Sequence, residues 1–516
     1  MLVTAPINRL ARHAPAEGGF TMIIALGVML VTSLLLLAAF TAANGDVHLA
    51  HEDLTQKQAY FAAQAGVQAY EYQLQKNPDF WQTCESLNAT LPQEASSRYE
   101  VKLLPVKGSA CSTSAPFETV IESSGRAANT FRVESTGYAG KDERSIIANF
   151  QVKGFLDYVY FTHFEEEDPS LNNLSLEKCS VYHQEREEKH AKEGLNCGSN
   201  IEFAPADSVK GPMHTDDAAL VCGETTFGRK EHVPIDTVQI NKGTYTNGCG
   251  SNPKFYTKTG NWEVGEELIP PESDTSLKAY VESGYEFEGV TTLTLEGNKV
   301  TVTNAHYNGG KATQIALPKN GLIWVHSSAT PACEYHYEQE PADTAGEIAK
   351  EVPCGTVYLK GNYSEALTIG AEKEIVIKGS ITPTGVTPPK TGESATGTPP
   401  GTATLGLIAS EFIRMYNPCG GGGAEGPKDP WIYAAILSTA HSFLVDNFAC
   451  HGSLGYLNID GAIAQNFRGI VGTTGNTGYL KNYNYDERLA TDEPPYFLAP
   501  LKAGWKIGRE TAPGGG

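Results

Sequence analysis

The chain reads as an α+β protein, mostly β. A long amino-terminal membrane and stalk helix comes first, then a small antiparallel meander, then a parallel β-helix, with a β-sandwich as the alternative for the last part. Three observations give this order. An uncharged apolar run from Phe20 to Ala43 is followed by helical apolar spacing to about Gln75. The text then alternates between Tyr99 and Phe155. From Ile201 to Pro500, short apolar runs are separated by Gly, Asn and Pro turns with almost no helical period. The length of 516 residues leaves room for two or three domains. Lys and Arg number 39 against 60 Asp and Glu, a net charge of −21, which argues against nucleic acid as a partner because a phosphate backbone demands a basic surface.

The run Phe20–Ala43 makes a helix of about 36 Å at 1.5 Å per residue, enough to cross a hydrocarbon core of about 30 Å. Arg9 and Arg12 precede it, while Asp46, Glu52 and Asp53 follow. The positive-inside rule therefore puts residues 1–19 in the cytoplasm and the remainder outside the cytoplasmic membrane. A secretory signal has a shorter apolar core with small residues after it, whereas here Gly18-Gly19 stands before the run. Tyr60, Val67, Tyr70 and Leu74, with Ala63, share one helical stripe, so the helix continues as a stalk over 44–76 until Asn77-Pro78 ends it. Gly27, Ser33 and several alanines let neighbouring helices approach closely where lipid gives no hydrophobic drive. An ordinary signal anchor whose stalk packs on its own domain is the alternative.

Gly18-Gly19-Phe20 followed by an uninterrupted apolar helix resembles the class III signal of type IV prepilins. That resemblance implies a leader at 1–19, cleavage between Gly19 and Phe20 by a prepilin peptidase, and methylation of the new amino end. The stretch Lys57–Leu74, with Ala62-Ala63-Gln64-Ala65-Gly66, resembles the end of the amino-terminal module of PilX-type minor pilins. Two positions depart from the pattern. The mature fifth residue, a glutamate in major pilins, is Ile24, and the glutamate of the A-A-E-A-G run is Gln64. The resemblance implies a minor or initiating subunit that contacts other pilins or pseudopilins through Phe20 and Ile24.

Residues 77–155 are expected to form the pilin-like antiparallel region, with strands at Tyr99–Leu104, Phe117–Ser123, Phe131–Tyr138 and Ser145–Val152 and a hairpin turn at Ala139-Gly140-Lys141-Asp142. This meander would shield the stalk's apolar stripe. Ten cysteines without any C-x-x-C suit an oxidising compartment. Neighbour pairing closes loops of moderate length inside single units, joining Cys84 with Cys111, Cys179 with Cys197, Cys222 with Cys249, Cys333 with Cys354 and Cys419 with Cys450.

Residues 156–200 read as a charged, solvated loop region or short helix. The group Glu185, Glu187, Glu188 and His190 matches no metal-site spacing, and the acids Glu165 to Asp168 and Glu177 offer at most a loose attraction for calcium, which is not assigned. Residues 201–500 read as the β-helix-like domain, with strands at Thr356, Ala366, Glu374, Leu405, Trp431, Ser442 and Leu457, and with Gly361, Gly370, Gly379, Gly461 and Gly469 at corners. This half resembles β-helix regions of prepilin-type proteins of Gram-positive and related bacteria. Thr382–Thr404 and Cys419–Pro430 read as emergent loops, and 501–516 as a tail that frays at Ala512–Gly516.

Candidate chemistry is sparse. His451-Gly452-Ser453-Leu454-Gly455 approaches a nucleophile elbow but lacks its first glycine. Gly472, Gly475 and Gly478 lack the lysine and βαβ frame of a phosphate cradle. His214-Thr215-Asp216-Asp217 is the best cluster for acid–base or metal work, against a reading as turn residues bonding their own backbone. No catalytic residue, metal ligand or cofactor is assigned. The expected function is a noncatalytic minor pilin or pseudopilin-like subunit with an extracellular β-rich head, for which a surface glycan is the candidate ligand. A membrane-anchored carbohydrate-binding or carbohydrate-cleaving β-helix, and an envelope protein outside any filament, are the alternatives.

Overall fold

A computed structural model describes residues 20–77, 80–91, 97–106, 110–114, 119–121, 130–205, 207–333, 337, 353–390, 393, 399, 401–419, 426–473, 477–501 and 505–511. Gly18, Gly19, Gly475 and Ala512–Gly516 lie outside them, as do parts of the two emergent loops.

Helix α1 runs unbroken from Phe20 to Lys76, 57 residues. Its segment Thr21–Ala43 has a mean hydropathy of 2.7 and none of it is buried within the chain. The lower part turns one face inward: Ala59, Ala62, Ala63, Val67, Tyr70 and Leu74 are all buried. That face lies on an antiparallel sheet of β1 (Leu87–Thr90), β2 (Ser97–Leu104), β3 (Thr130–Ala139) and β4 (Asp142–Val152). Val101, Phe131, Val133, Ile146, Ala148 and Phe150 on the sheet close a core with the helix stripe and Trp81. Tyr60 is 43% exposed and does not belong to the stripe. At 100° per residue it stands about 80° from the stripe's centre, and Ala59 takes the inward place.

Gly137 of β3 lies where helix and sheet come closest, since a Cβ there would overlap Ala59 O and Ala63 N. The β3–β4 hairpin turns through Gly140-Lys141, with Gly140 at φ 59°, the positive φ that a two-residue loop demands of its first residue.

Two expectations for this region change. Of the proposed strand Phe117–Ser123, the described residues Thr119–Ile121 are not strand. β3 already occupies the place beside β2, and Val120 and Ile121 fill the core instead. The proposed tail is not all tail: Trp505–Thr511 forms a strand that pairs antiparallel with β4 and completes a five-stranded sheet. Its partner strand lies more than three hundred residues earlier in the chain, which no local pattern reveals.

The other large body is a curled sheet of 22 strands among the described residues. Two long parallel ladders dominate it. One ladder stacks Glu286–Glu288, Leu322–His326, Leu367–Ala371, Leu405–Ala409, Ala435–Ser438, the second half of Ser453–Arg468, β5 (Tyr160–Glu167), Met213–Thr215 and Val238–Ile240. The other runs from Thr291–Gly297 through Thr356–Tyr363 and Glu374–Pro383 to the first half of Ser453–Arg468, Thr477–Tyr485 and Ser208–Lys210. Inward residues stack in register, Ile323 on Ile369, Leu407, Ile436 and Ile463, and they form the main core. The outer row of the first ladder, including Trp324, Ile408, Leu437, Ala464 and Phe161, is also buried, beneath Phe155, Leu268, Leu277, Leu489 and Phe497. Burial on both faces explains why these strands read as continuous apolar runs.

Gly370 lies within a strand and Gly361 and Gly379 flank a bulge between Thr356–Tyr363 and Glu374–Pro383, whereas Gly461 does lie at a corner, where Ser453–Arg468 passes from one ladder to the other. At Gly461 a Cβ would overlap Ala434 O of the corner on the adjacent rung, so the close stacking of one corner on the next explains that glycine. The ten cysteines form five disulfides between chain neighbours: Cys84–Cys111, Cys179–Cys197, Cys222–Cys249, Cys333–Cys354 and Cys419–Cys450.

Candidate functional site

Two features combine chemistry with an unusual environment, namely the bare upper half of α1 and the polar groups inside the curled sheet.

The upper half presents Met22, Ile23, Ile24, Leu26, Leu34, Leu35, Leu36 and Phe40 in every direction around the helix, each at least 51% exposed. Ile24 lies on this apolar surface, one turn after Phe20 opens the helix. A helix apolar on all sides belongs in lipid or among other helices. The motif residues are divided by the helix period. Ala62, Ala63 and Gly66 face the sheet, where Ser135 Oγ donates to Ala63 O at 2.7 Å, while Gln64 and Ala65 sit half-buried at the margin. Gln64 Nε2 donates to Tyr60 OH at 3.2 Å. At Gly66 a Cβ would overlap Ser135 Oγ, so the glycine of the motif sets the helix-to-sheet spacing.

The charged segment behaves otherwise than expected. Glu165, Glu166 and Asp168 are buried in and beside β5, because each meets a cation from elsewhere in the chain. Arg468 Nη1 donates to Glu165 Oε2 at 2.7 Å, with its guanidinium over the Phe203 ring. Arg186 pairs with Glu166, and His441 Nδ1 lies 2.8 Å from Asp168 Oδ2. Burial raises the Glu166 carboxyl above its usual range despite His183 and Arg186 beside it. Glu185 and Glu188 do stay on the surface, paired with Lys189 and Lys192 along the helix His183–Glu193, which Gly194 ends at φ 68°.

His214, Thr215, Asp216 and Asp217 come together at the end of the strand Met213–Thr215, all of them buried. His214 continues the covered outer row after Phe161, and both its ring nitrogens are engaged, Nδ1 with Gln239 Oε1 at 2.9 Å and Nε2 with Asp216 Oδ1 at 2.8 Å. Asp216 also meets His163 Nδ1 at 2.9 Å and accepts from Leu268 N. Asp217 accepts from the backbone N–H groups of His183, Ala218 and Glu165, and burial raises its carboxyl above the usual range. The cluster joins three distant segments by charge-assisted bonds and leaves its histidine fully enclosed.

His451 is held by Pro418 O at 2.8 Å, and Ser453 Oγ accepts from Gly455 N at the bulged start of the strand Ser453–Arg468, so that segment is no strand-to-helix elbow. Gly472 and Gly478 pair across a short hairpin. Glu202, Cys222 and Cys249 bring three donor atoms together, but the two sulfurs are bonded to each other and offer no thiolate.

No family model matches the chain, and no curated protein matches it. Among solved structures, the chain is similar to the competence-associated pilin ComZ from Thermus thermophilus, over 89% of this chain and 97% of that one, at 12% identity and a TM-score of 0.26. At that score the likeness carries no argument about fold or role.

Proposed function

We propose that the chain is a noncatalytic minor pilin or pseudopilin-like subunit of a type IV pilus-related surface filament, displaying a β-rich extracellular head. The observation that carries this is the single helix Phe20–Lys76, bare and apolar over Thr21–Ala43 and built into an antiparallel sheet over Ala59–Leu74. Such a helix joins a folded head rigidly to an apolar phase. In this reading residues 1–19 are the leader removed by a prepilin peptidase, the helix rests in the cytoplasmic membrane before assembly, and the head carries five disulfides outside the cell. The curled sheet is a parallel β-solenoid, supported by two parallel ladders with in-register aliphatic stacks. The enclosure of His214 and His441, with every ring nitrogen engaged, supports the noncatalytic assignment.

Ile24 supports a position at an end of the filament or in an initiating complex. It offers no carboxylate to a neighbour's amino terminus, although its own amine at Phe20 can still meet a neighbour's glutamate, and a carboxylate in an apolar phase is tolerated only when paired. Immunogold labelling of the head tests this. Sparse labelling at filament tips or bases is expected, whereas regular labelling along the shaft contradicts the end position and labelling confined to the envelope contradicts the filament.

A further inference from the structure

The curled sheet closes on itself at one seam. The second half of Ser453–Arg468 pairs with β5, and Thr477–Tyr485 pairs with Ser208–Lys210, so the last rungs of the chain lie against its first. Beside this seam Asn458 and Asp460 stand on the outer face of Ser453–Arg468, alternating with Leu457 and Ile459, which point into the core. Their in-register partners on Thr477–Tyr485 are Asn482 and Asn484.

The first of these pairs is complete. Asn482 Nδ2 donates to Asn458 Oδ1 at 2.7 Å, and Lys210 Nζ donates to Asn482 Oδ1 at 2.7 Å. The second pair is not. Asn484 Nδ2 donates to Ile459 O at 3.3 Å and to Asn482 O at 3.2 Å, which fixes the orientation of the amide and leaves Oδ1 as an acceptor. Asp460 is 3% exposed and Asn484 5%, and neither Asp460 Oδ2 nor Asn484 Oδ1 meets a donor among the described residues. Two buried acceptors on one face of paired strands carry a desolvation cost that a single shared hydrogen removes.

Asp460 also lacks a counter-ion. The guanidinium that acts on it, Arg488, is spent on other groups: Nε and Nη2 bind the Asp486 carboxylate at 2.6 to 3.1 Å, and Nη1 donates to Gly401 O and Ala403 O. Lys210 is committed to Asn482. Asp486 adds a second negative charge, while Tyr433 on the preceding rung and Tyr363, which donates to Tyr433 O, are phenols that burial keeps neutral. An enclosed carboxylate without a cation neutralises itself by binding a proton. Burial first, and then the Asp486 charge, raise the Asp460 carboxyl to about 8 against the opposing pull of Arg488.

We propose that Asp460 is a carboxylic acid in the native head at neutral pH, donating its hydrogen to Asn484 Oδ1, and that this proton is a clasp on the seam which alkaline solution releases. Ionisation leaves a buried negative charge beside an amide oxygen and the Asp486 carboxylate, and parting of the two strands relieves it. The clasp belongs to the head alone and does not rest on the filament reading.

The test compares denaturant unfolding of the full chain in detergent, as wild type and as Asp460→Asn, across a range of pH. Asparagine puts an N–H donor where the acid has its O–H and does not titrate. An aspartate whose native pKa is raised gives stability that is fully present below its unfolded value and is lost as pH rises through the native one. The unfolding constant of the wild type, relative to that of Asp460→Asn, should therefore grow about tenfold per pH unit and level off above about 8. Titrating groups common to both chains cancel in that ratio. Asp460→Leu, which has no donor and leaves Asn484 Oδ1 unpaired, should be less stable than Asp460→Asn at every pH. The infrared difference between wild type and Asp460→Asn at neutral pH should contain the carbonyl band of a protonated carboxyl, and that band should vanish above about pH 8. A carboxylate band at neutral pH, a ratio independent of pH, or Asp460→Leu matching Asp460→Asn would each overturn the proposal. So would failure of Asp460→Asn to fold, because asparagine is the isostere of the neutral acid.

Discussion

The two halves of α1 have one backbone and opposite surroundings. Leu34, Leu35 and Leu36 are 59%, 64% and 70% exposed, while Ala59, Ala63 and Tyr70 are fully buried. In the upper half apolar residues occupy all sides, and nothing among the described residues covers them. In the lower half they form one stripe, and a single sheet suffices. A helix thus declares its partner by the width of its apolar surface. The upper half should be indifferent to the head's stability and the lower half inseparable from it.

The sharpest way to break that contrast is to add bulk at one glycine in each half. Gly137→Leu places a side chain against Ala59 O and Ala63 N, and should cost more than about 4 kcal/mol, beyond ordinary overpacking because the obstacles are helix backbone atoms. Gly27→Leu, with nothing within 4 Å of its added Cβ, should leave the head's melting temperature unchanged. Thermal denaturation of the detergent-solubilised pair decides it. Next in size is Cys84–Cys111, beside the buried half. Replacing both cysteines by serine frees a loop of 27 residues' separation and should cost about 3 kcal/mol. Denaturant midpoints of the variant and the oxidised wild type should differ by that amount. Ser135→Ala removes the hydroxyl that donates to Ala63 O, and should cost only about 1 kcal/mol, since that carbonyl keeps its place in the helix.

How far these features could be read in advance follows from how local their causes are. The helix, its stripe and the strands Thr130–Ala139 and Asp142–Val152 are written in spacings of two to seven residues. Thr356–Tyr363 and Glu374–Pro383 stand out as β-branched runs. The burial of Glu165 and Asp168 was not legible, because their counter-charges Arg468 and His441 lie 303 and 273 residues away. Charge alone made that segment look solvated. The strand Trp505–Thr511 was hidden for the same reason, as its partner is β4.

A pH dependence also separates the head from the helix. His441 is held between Asp168 Oδ2 at 2.8 Å and Glu411 Oε2 at 2.7 Å. Burial alone would push its pKa down, but the hydrogen bonds and charges of those two carboxylates win and raise it to about 9. Between the unfolded value of about 6.5 and that figure the native state binds more protons than the unfolded one, so stability is fully present below about 6.5 and is lost as pH rises towards 9. Glu411 moves the other way: burial opposes ionisation, His441 and Lys373 outweigh it, and its contribution is lost as pH falls below the usual glutamate range. Stability should peak between the two windows, and His441→Gln should flatten the alkaline limb. The upper half of α1 contains no titratable group, so its substitutions should leave the profile unmoved.

The account rests on the upper half of α1 being the membrane and filament segment of a processed subunit. Intact-mass and amino-terminal sequencing of the protein from a host with an active prepilin peptidase tests that most directly. The account predicts a mature chain starting at Phe20 with a methylated amine. An unprocessed Met1 in that host, or cleavage after Ala43, would contradict it.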